Sequence, residues 1–152
     1  MADLLFGRFE SIAELGAGGM GTVFHVRCQN TQADYALKFV SVDRTADLNL
    51  TTRFRREFRA LSRLDHPNIV KVHEFLEGVE GLAFVMDLVK GDTLLEAFKK
   101  RWPGNARPSA ADGSLITALD WFIQVLTGLG QVHRAGLVHR DIKPANLWLR
   151  LP

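Results

Sequence analysis

The sequence predicts an α+β fold: an antiparallel sheet carrying one helix over residues 8–89, then a helical segment over residues 90–152. Three observations predict it. β-branched and aromatic runs separated by turn residues fill most of the first half. One amphipathic helical pattern interrupts them at residues 50–64. A long apolar helical pattern occupies residues 115–134.

The elements follow in chain order. Residues 9–15 alternate apolar and polar side chains, the period of a half-buried strand. Residues 16–21 are glycine-rich. Residues 22–28 and 35–42 are strand-like runs joined by the turn-like Gln29-Asn30-Thr31-Gln32, so the first three strands form an antiparallel meander. In residues 50–64, Phe54, Phe58, Leu61 and Leu64 recur at helical spacing among five arginines, and Asp65-His66-Pro67 ends the helix. Residues 69–75 and 82–89 are two further strands around a turn at residues 77–81. Residues 93–100 form a short helix and 102–113 a loop. Ser114 is the expected N-cap of a helix over residues 115–134, and Gly136 its stop.

Composition excludes several classes. The 152 residues are enough for a domain with a real core, and 47% apolar with 24% charged residues is ordinary for a soluble chain. A net charge of +2 gives no nucleic-acid or membrane-surface signal. The single Cys28 excludes an internal disulfide and suits a reducing compartment. The N-terminus does not read as a signal peptide, and no stretch is expected to reach the roughly 20 apolar residues of a membrane span. A cytoplasmic location is therefore expected. His25, His66, His73 and His133 lack ligand-like spacing, so no histidine-built metal site is expected.

The chemistry concentrates in Val138-His139-Arg140-Asp141-Ile142-Lys143-Pro144-Ala145-Asn146-Leu147. An Asp that orients a hydroxyl, a Lys that neutralises a moving phosphoryl group and an Asn whose carbonyl ligates Mg²⁺ suit phosphoryl transfer. Near the start, Gly16-Ala17-Gly18-Gly19-Met20-Gly21-Thr22-Val23 is a loop whose backbone N–H groups can approach phosphate oxygens. Alone it is a weak signal whose bland reading is a flexible hairpin turn. A strand, not a helix, follows it, which argues against a dinucleotide fingerprint. Lys38 sits inside an apolar strand and needs either a partner or a route to solvent. Glu57, on the following helix, is either that partner or a solvated acid among arginines.

In this order these motifs, with His66-Pro67-Asn68-Ile69-Val70, resemble the bacterial branch of eukaryotic-type (Hanks-type) Ser/Thr protein kinases, over about residues 8–150. The resemblance implies a protein-kinase-like fold: a complete N-terminal lobe at 8–89 with a five-stranded sheet and C-helix, then the hinge and only the start of the helical C-terminal lobe at 90–152. It implies ATP and Mg²⁺ as cofactors and a protein substrate bearing Ser or Thr. By this resemblance Asp141 orients the hydroxyl, Lys143 stabilises charge, Asn146 binds the metal, and Lys38, held by Glu57, holds the phosphates. Gly16, Ala17, Gly18, Gly19, Met20 and Gly21 cover the phosphates. Val23 and Ala36 roof the adenine, Met86 is the gatekeeper, and backbone groups from Asp87 to Val89 meet the base edge. Leu61, Val72 and His139 join an internal spine.

Two departures qualify this. No Asp follows Asp141, so the family's Asp-Phe-Gly and activation segment are missing, and the chain is expected to be truncated and weak or inactive alone. Trp148 stands where a medium aliphatic side chain usually lies under the adenine; it either stacks on the base, fills the pocket, or points elsewhere. The competing expectation is a non-catalytic kinase-like module that binds nucleotide or a partner. The helix at 115–132 carries apolar residues on more than one face, so self-association or a missing C-terminal lobe is expected there, with no nucleic-acid partner and no membrane segment.

Overall fold

A computed structural model describes residues 4–19, 21–104 and 106–150. The chain divides into two units, Met1–Asp65 with Val70–Leu88, and His66–Ile69 with Val89–Pro152.

The first unit is built on strands β1 (Phe9–Gly18), β2 (Gly21–Cys28), β3 (Asp34–Ser41), β4 (Val72–Gly78) and β5 (Gly81–Asp87). They form one antiparallel sheet in the order β1-β2-β3-β5-β4. A single turn, α1 (Val42–Thr45), and the helix α2 (Leu48–Leu61) link β3 to β4. Strand alternation sends successive side chains to opposite faces. One face buries Phe9, Val26, Cys28, Leu37, Ala83 and Val85. The other packs Val40, Val72, Leu82 and Phe84 against Leu50 and Phe54 of α2.

Boundaries differ from the sequence reading for local reasons. Helix α2 starts two residues early because the Asp47 carboxylate accepts from Asn49 N and Leu50 N at 2.9 and 3.1 Å. It ends at Leu61; Leu64 leaves the helix yet stays buried. Strand β4 begins at Val72 rather than residue 69, because Pro67 sets a turn in which Ile69 N donates to His66 O. Val42 belongs to α1 and Val89 to no strand.

The second unit contains β6 (Gly91–Thr93), α3 (Leu94–Arg101), α4 (Ser114–Arg134), a 3₁₀ turn (Pro144–Asn146) and β7 (Trp148–Arg150). The antiparallel β6–β7 pair is an element the sequence reading did not contain. Thr93 and Glu96 form a capping box at the start of α3. Ser114 is not the N-cap of α4. Its hydroxyl accepts from Ser109 N at 2.9 Å, and the Asp112 carboxylate takes Ser114 N instead. At the other end Gly136, at φ 73°, donates to His133 O while Leu137 N reaches Val132 O, a Schellman stop.

Helix α4 divides its apolar residues. Ala118 and Gly128 are buried, and Trp121, Val125 and Val132 half-buried. Trp121 meets the buried Trp102 at 5.7 Å between ring centroids. A Cβ at Gly128 would lie 3.1 Å from Asn68 O, so the helix backbone seats directly on the 66–69 segment. The opposite stripe is bare: Ile116, Leu119, Phe122, Ile123 and Leu126 are 71, 52, 55, 57 and 64% exposed. The expectation that no stretch approaches a membrane span needs correction. By length and composition α4 is long and apolar enough to cross one. The scattered polar residues Asp120, Gln124 and Gln131 had masked that.

Candidate functional site

The glycine-rich segment is a hairpin tip. Gly16 pairs with Val23, Ala17 with Thr22 and Gly18 with Gly21 across β1 and β2. Gly16, Ala17, Gly18 and Gly19 are exposed, and a Cβ added at Gly16, Gly18 or Gly19 would meet nothing within 4 Å. Their bareness is therefore not a packing requirement of the hairpin. It leaves room for a ligand to approach the backbone. Gly21 differs: at φ 116° its Cβ would fall 2.3 Å from Phe39 O, so β2–β3 pairing itself demands glycine. Met20 lies outside the described residues. Arg44 of α1 donates from Nη2 to Gly19 O at 2.7 Å, tying the loop to the following turn.

Residues directly opposed across antiparallel strands share a face. Val23 opposes Lys38, which opposes Phe84; Ala36 opposes Met86. Val23, Ala36, Lys38 and Met86 thus lie on the sheet face against which α2 packs. On that face the Lys38 ammonium donates to both Glu57 carboxylate oxygens, at 2.7 and 2.9 Å, with the two side chains only 16 and 26% exposed. The Phe84 ring centroid is 5.7 Å from Nζ. Lys38 is paired, not snorkelling, and Glu57 is its partner rather than a solvated acid.

At the end of β5, Asp87 N donates to Lys71 O at 2.9 Å, so that N–H is already committed. The Asp87 carboxylate meets His73 Nε2 at 2.8 Å, and the His73 ring stands edge-on to Tyr35. Neither the His73 contact nor the Arg44 contact was foreseen from sequence. Val89 follows, half-buried, outside the sheet.

In the second unit Asp141, Lys143 and Asn146 form one cluster. Lys143 Nζ lies 3.1 Å from Asp141 Oδ1. Asn146 Nδ2 donates to Asp141 Oδ2 at 2.7 Å and to Asp141 O at 2.9 Å. Local backbone makes this possible: Arg140 adopts φ 63°, and Asn146 N donates to Lys143 O to close the 3₁₀ turn. Leu147 O then accepts from Leu94 N, anchoring the loop to α3. The Lys143 ammonium, and next the Asn146 amide, hold the Asp141 carboxyl below the ordinary carboxylate range. His139 was expected in an apolar spine. It is exposed, and its Nδ1 accepts from Asp141 N at 3.3 Å. Leu61 and Val72 do pack together with the α2 core.

With its NH₂ fixed on Asp141, Asn146 has its amide oxygen as the group for a cation. Among the described residues no cluster of three or more His, Cys, Asp or Glu side chains could hold a metal ion. Mg²⁺ usually takes one or two carboxylates plus substrate phosphates. The Asn146 amide oxygen supplies part of that set and suits a metal delivered with a polyphosphate. Trp148, on β7 opposite Thr93, is 49% exposed.

Comparison with known proteins gives a family match. The family model described as protein kinase domain matches residues 9–150. The serine/threonine-protein kinase PknF of Mycobacterium tuberculosis is 36% identical over 147 residues, 97% of this chain and 29% of that protein. Serine/threonine-protein kinase pkn3 of Myxococcus xanthus is 35% identical over 136 residues, 89% of this chain and 23% of its own length. The crystal structure of the M. tuberculosis PknI kinase domain superposes with a TM-score of 0.72 at 30% identity, covering 99% of this chain and 57% of that one. The chain thus spans about a quarter of these curated relatives and somewhat over half of the solved domain.

Proposed function

Since the chain belongs to the protein kinase domain family, in its bacterial Hanks-type Ser/Thr branch, we propose that it binds ATP with Mg²⁺ and carries the groups that transfer the γ-phosphoryl to a protein Ser or Thr hydroxyl. The observation that carries this reading is the two-pronged Lys38–Glu57 pair, with Lys38 on the strand next to the one that leaves the bare glycine hairpin. Glu57 holds the Lys38 ammonium in one place, where it meets the α/β phosphates without further reorganisation. Val23 and Ala36 roof the base, Met86 bounds it, and backbone groups of the 87–89 segment meet its edge.

In the second unit, Asp141 accepts a hydrogen bond from the substrate hydroxyl and orients it. Lys143 moves from Asp141 to the transferring group, where charge develops. Asn146 would hold, through its amide oxygen, the Mg²⁺ that neutralises phosphate charge when bound. The proposed setting is the cytoplasm, where ATP is abundant and the one thiol stays reduced.

A non-catalytic, nucleotide- or partner-binding role is the second reading. It is favoured by one observation: both Asp141 carboxylate oxygens are already engaged, by Lys143 and by Asn146. The bare stripe of α4 belongs to the same question. We propose that it packs on further kinase-domain polypeptide, and on a second copy when none is present.

The binding test is titration of a fluorescent ATP analogue with Mg²⁺ into the wild-type chain and Lys38→Met. Wild-type binding that the variant loses supports the nucleotide site; equal affinities remove Lys38 from it. Phosphate transfer to a basic protein at a turnover near one per second would then favour the enzyme over the module.

A further inference from the structure

The outer side of α2 carries charge that the fold does not use. Arg53, Arg56 and Arg59 are exposed, and Arg63 follows in the turn after the helix, also exposed. At about 100° per residue the first three fall within an arc of about 120°, facing away from Leu50, Phe54 and Leu61. None of the four has an anionic partner among the described residues. Arg55 is spent on Glu77 at 2.7 Å, and Glu57, the helix's one acid, has both oxygens on Lys38.

This arrangement opposes folding. Arg53 and Arg56, Arg56 and Arg59, and Arg55 and Arg59 are like charges at the three- and four-residue spacings that bring side chains together. The helix dipole favours cations in the last turn, which accounts for Arg59 and leaves Arg53 and Arg56 without a structural role. Every cation of the stripe is Arg, the side chain suited to two-pronged recognition of carboxylates.

We propose that this stripe docks a short Asp/Glu-rich segment of a partner protein. A peptide fits better than an extended polyanion. The net charge of the chain is only +2, and the stripe spans only α2 and the turn after it, about the reach of a short peptide. Duplex DNA or an anionic bilayer presents charge over a wider surface than these four arginines cover. The inference does not depend on the kinase reading, but an occupant would bear on the helix that positions Glu57.

The test is fluorescence anisotropy of a short labelled Glu/Asp peptide with the full chain, at low and raised salt. The expected result is binding that weakens with salt, falls about tenfold or more in Arg53→Ala/Arg56→Ala/Arg59→Ala, and is unchanged in Arg107→Ala, an exposed arginine elsewhere. Circular dichroism checks that the variants are folded; if the triple variant is not, Arg56→Ala alone makes the comparison. Absence of wild-type binding, equal loss in Arg107→Ala, no loss in the stripe variants, or tighter binding to a DNA duplex or to anionic phospholipid vesicles would each overturn the proposal.

Discussion

Lys38 and Glu57, nineteen residues apart in sequence, meet with the ammonium of one within 2.9 Å of both carboxylate oxygens of the other. Two long-range choices create this contact. Strand register puts Lys38 opposite Val23 and Phe84 on the α2 face, and the Phe54–Phe84 contact at 5.1 Å seats the helix on that face.

Breaking that pair should separate a structural loss from a binding loss. Glu57→Gln keeps the shape and one acceptor, so it should cost about 1 kcal/mol of stability, read by denaturant unfolding. Lys38→Met leaves a half-buried carboxylate without its cation and should cost more, about 1–3 kcal/mol. Nucleotide affinity should fall about tenfold or more in Lys38→Met and less in Glu57→Gln. An unchanged unfolding midpoint in Lys38→Met would mean the pair contributes nothing to the fold.

The acid cluster makes a pH prediction. Lys143 and Asn146 depress the Asp141 pKa, so the carboxylate is more favoured folded than unfolded. Its contribution is present above the ordinary value of about 3.9 and is lost as pH falls through the lower folded value. Across neutral pH Asp141 should therefore be ionised, with no titration between about pH 5 and 8. Carboxyl carbon NMR should place its midpoint below that of a free Asp, and Lys143→Met should raise it. A midpoint above about 4 in the wild type would contradict the Lys143 contact.

How far the sequence led depended on the range of the signal. Period-two and helical patterns located the five strands and α2, because each is written in contiguous residues. The helix start was misplaced because Asp47, not an apolar residue, fixes it. The β6–β7 pair was invisible: strands of three residues have no period to read. In the site, motif spacing brought Lys38 to Glu57 and Asp141 to Asn146. The Arg44–Gly19 and His73–Asp87 contacts depend on tertiary approach, which no single segment encodes.

Trp148 gives a direct optical test of the nucleotide reading. Its half-exposed indole lies on β7, two residues after Asn146. If the base stacks on it, ATP should shift or quench tryptophan emission, and Trp148→Ala should abolish the change while weakening binding by about 1–3 kcal/mol, the scale of a base–aromatic stack. If the indole instead fills the pocket, Trp148→Leu should tighten binding. Emission from Trp102 and Trp121 is the background, so the same titration of the Trp148 variants sets the baseline. No change in emission or affinity in any variant would place Trp148 outside the site.

The bare stripe of α4 predicts association. Ile116, Leu119, Phe122, Ile123 and Leu126 all expose more than half of their area along one side of the helix. A contiguous apolar patch beyond a few hundred Å² is rare on a monomer, and at about 25 cal/mol per Å² its burial contributes several kcal/mol. The polypeptide should therefore run as concentration-dependent oligomers on sizing and bind a dye that reports apolar surface. Leu119→Lys with Leu126→Lys should reduce both without lowering the unfolding midpoint, because neither side chain is in a described core cluster. The opposite face answers differently: Gly128→Ala should destabilise, because its methyl must enter the 3.1 Å approach to Asn68 O. A monomeric, dye-silent wild type would mean that the stripe is covered by a packing of α4 other than the one described.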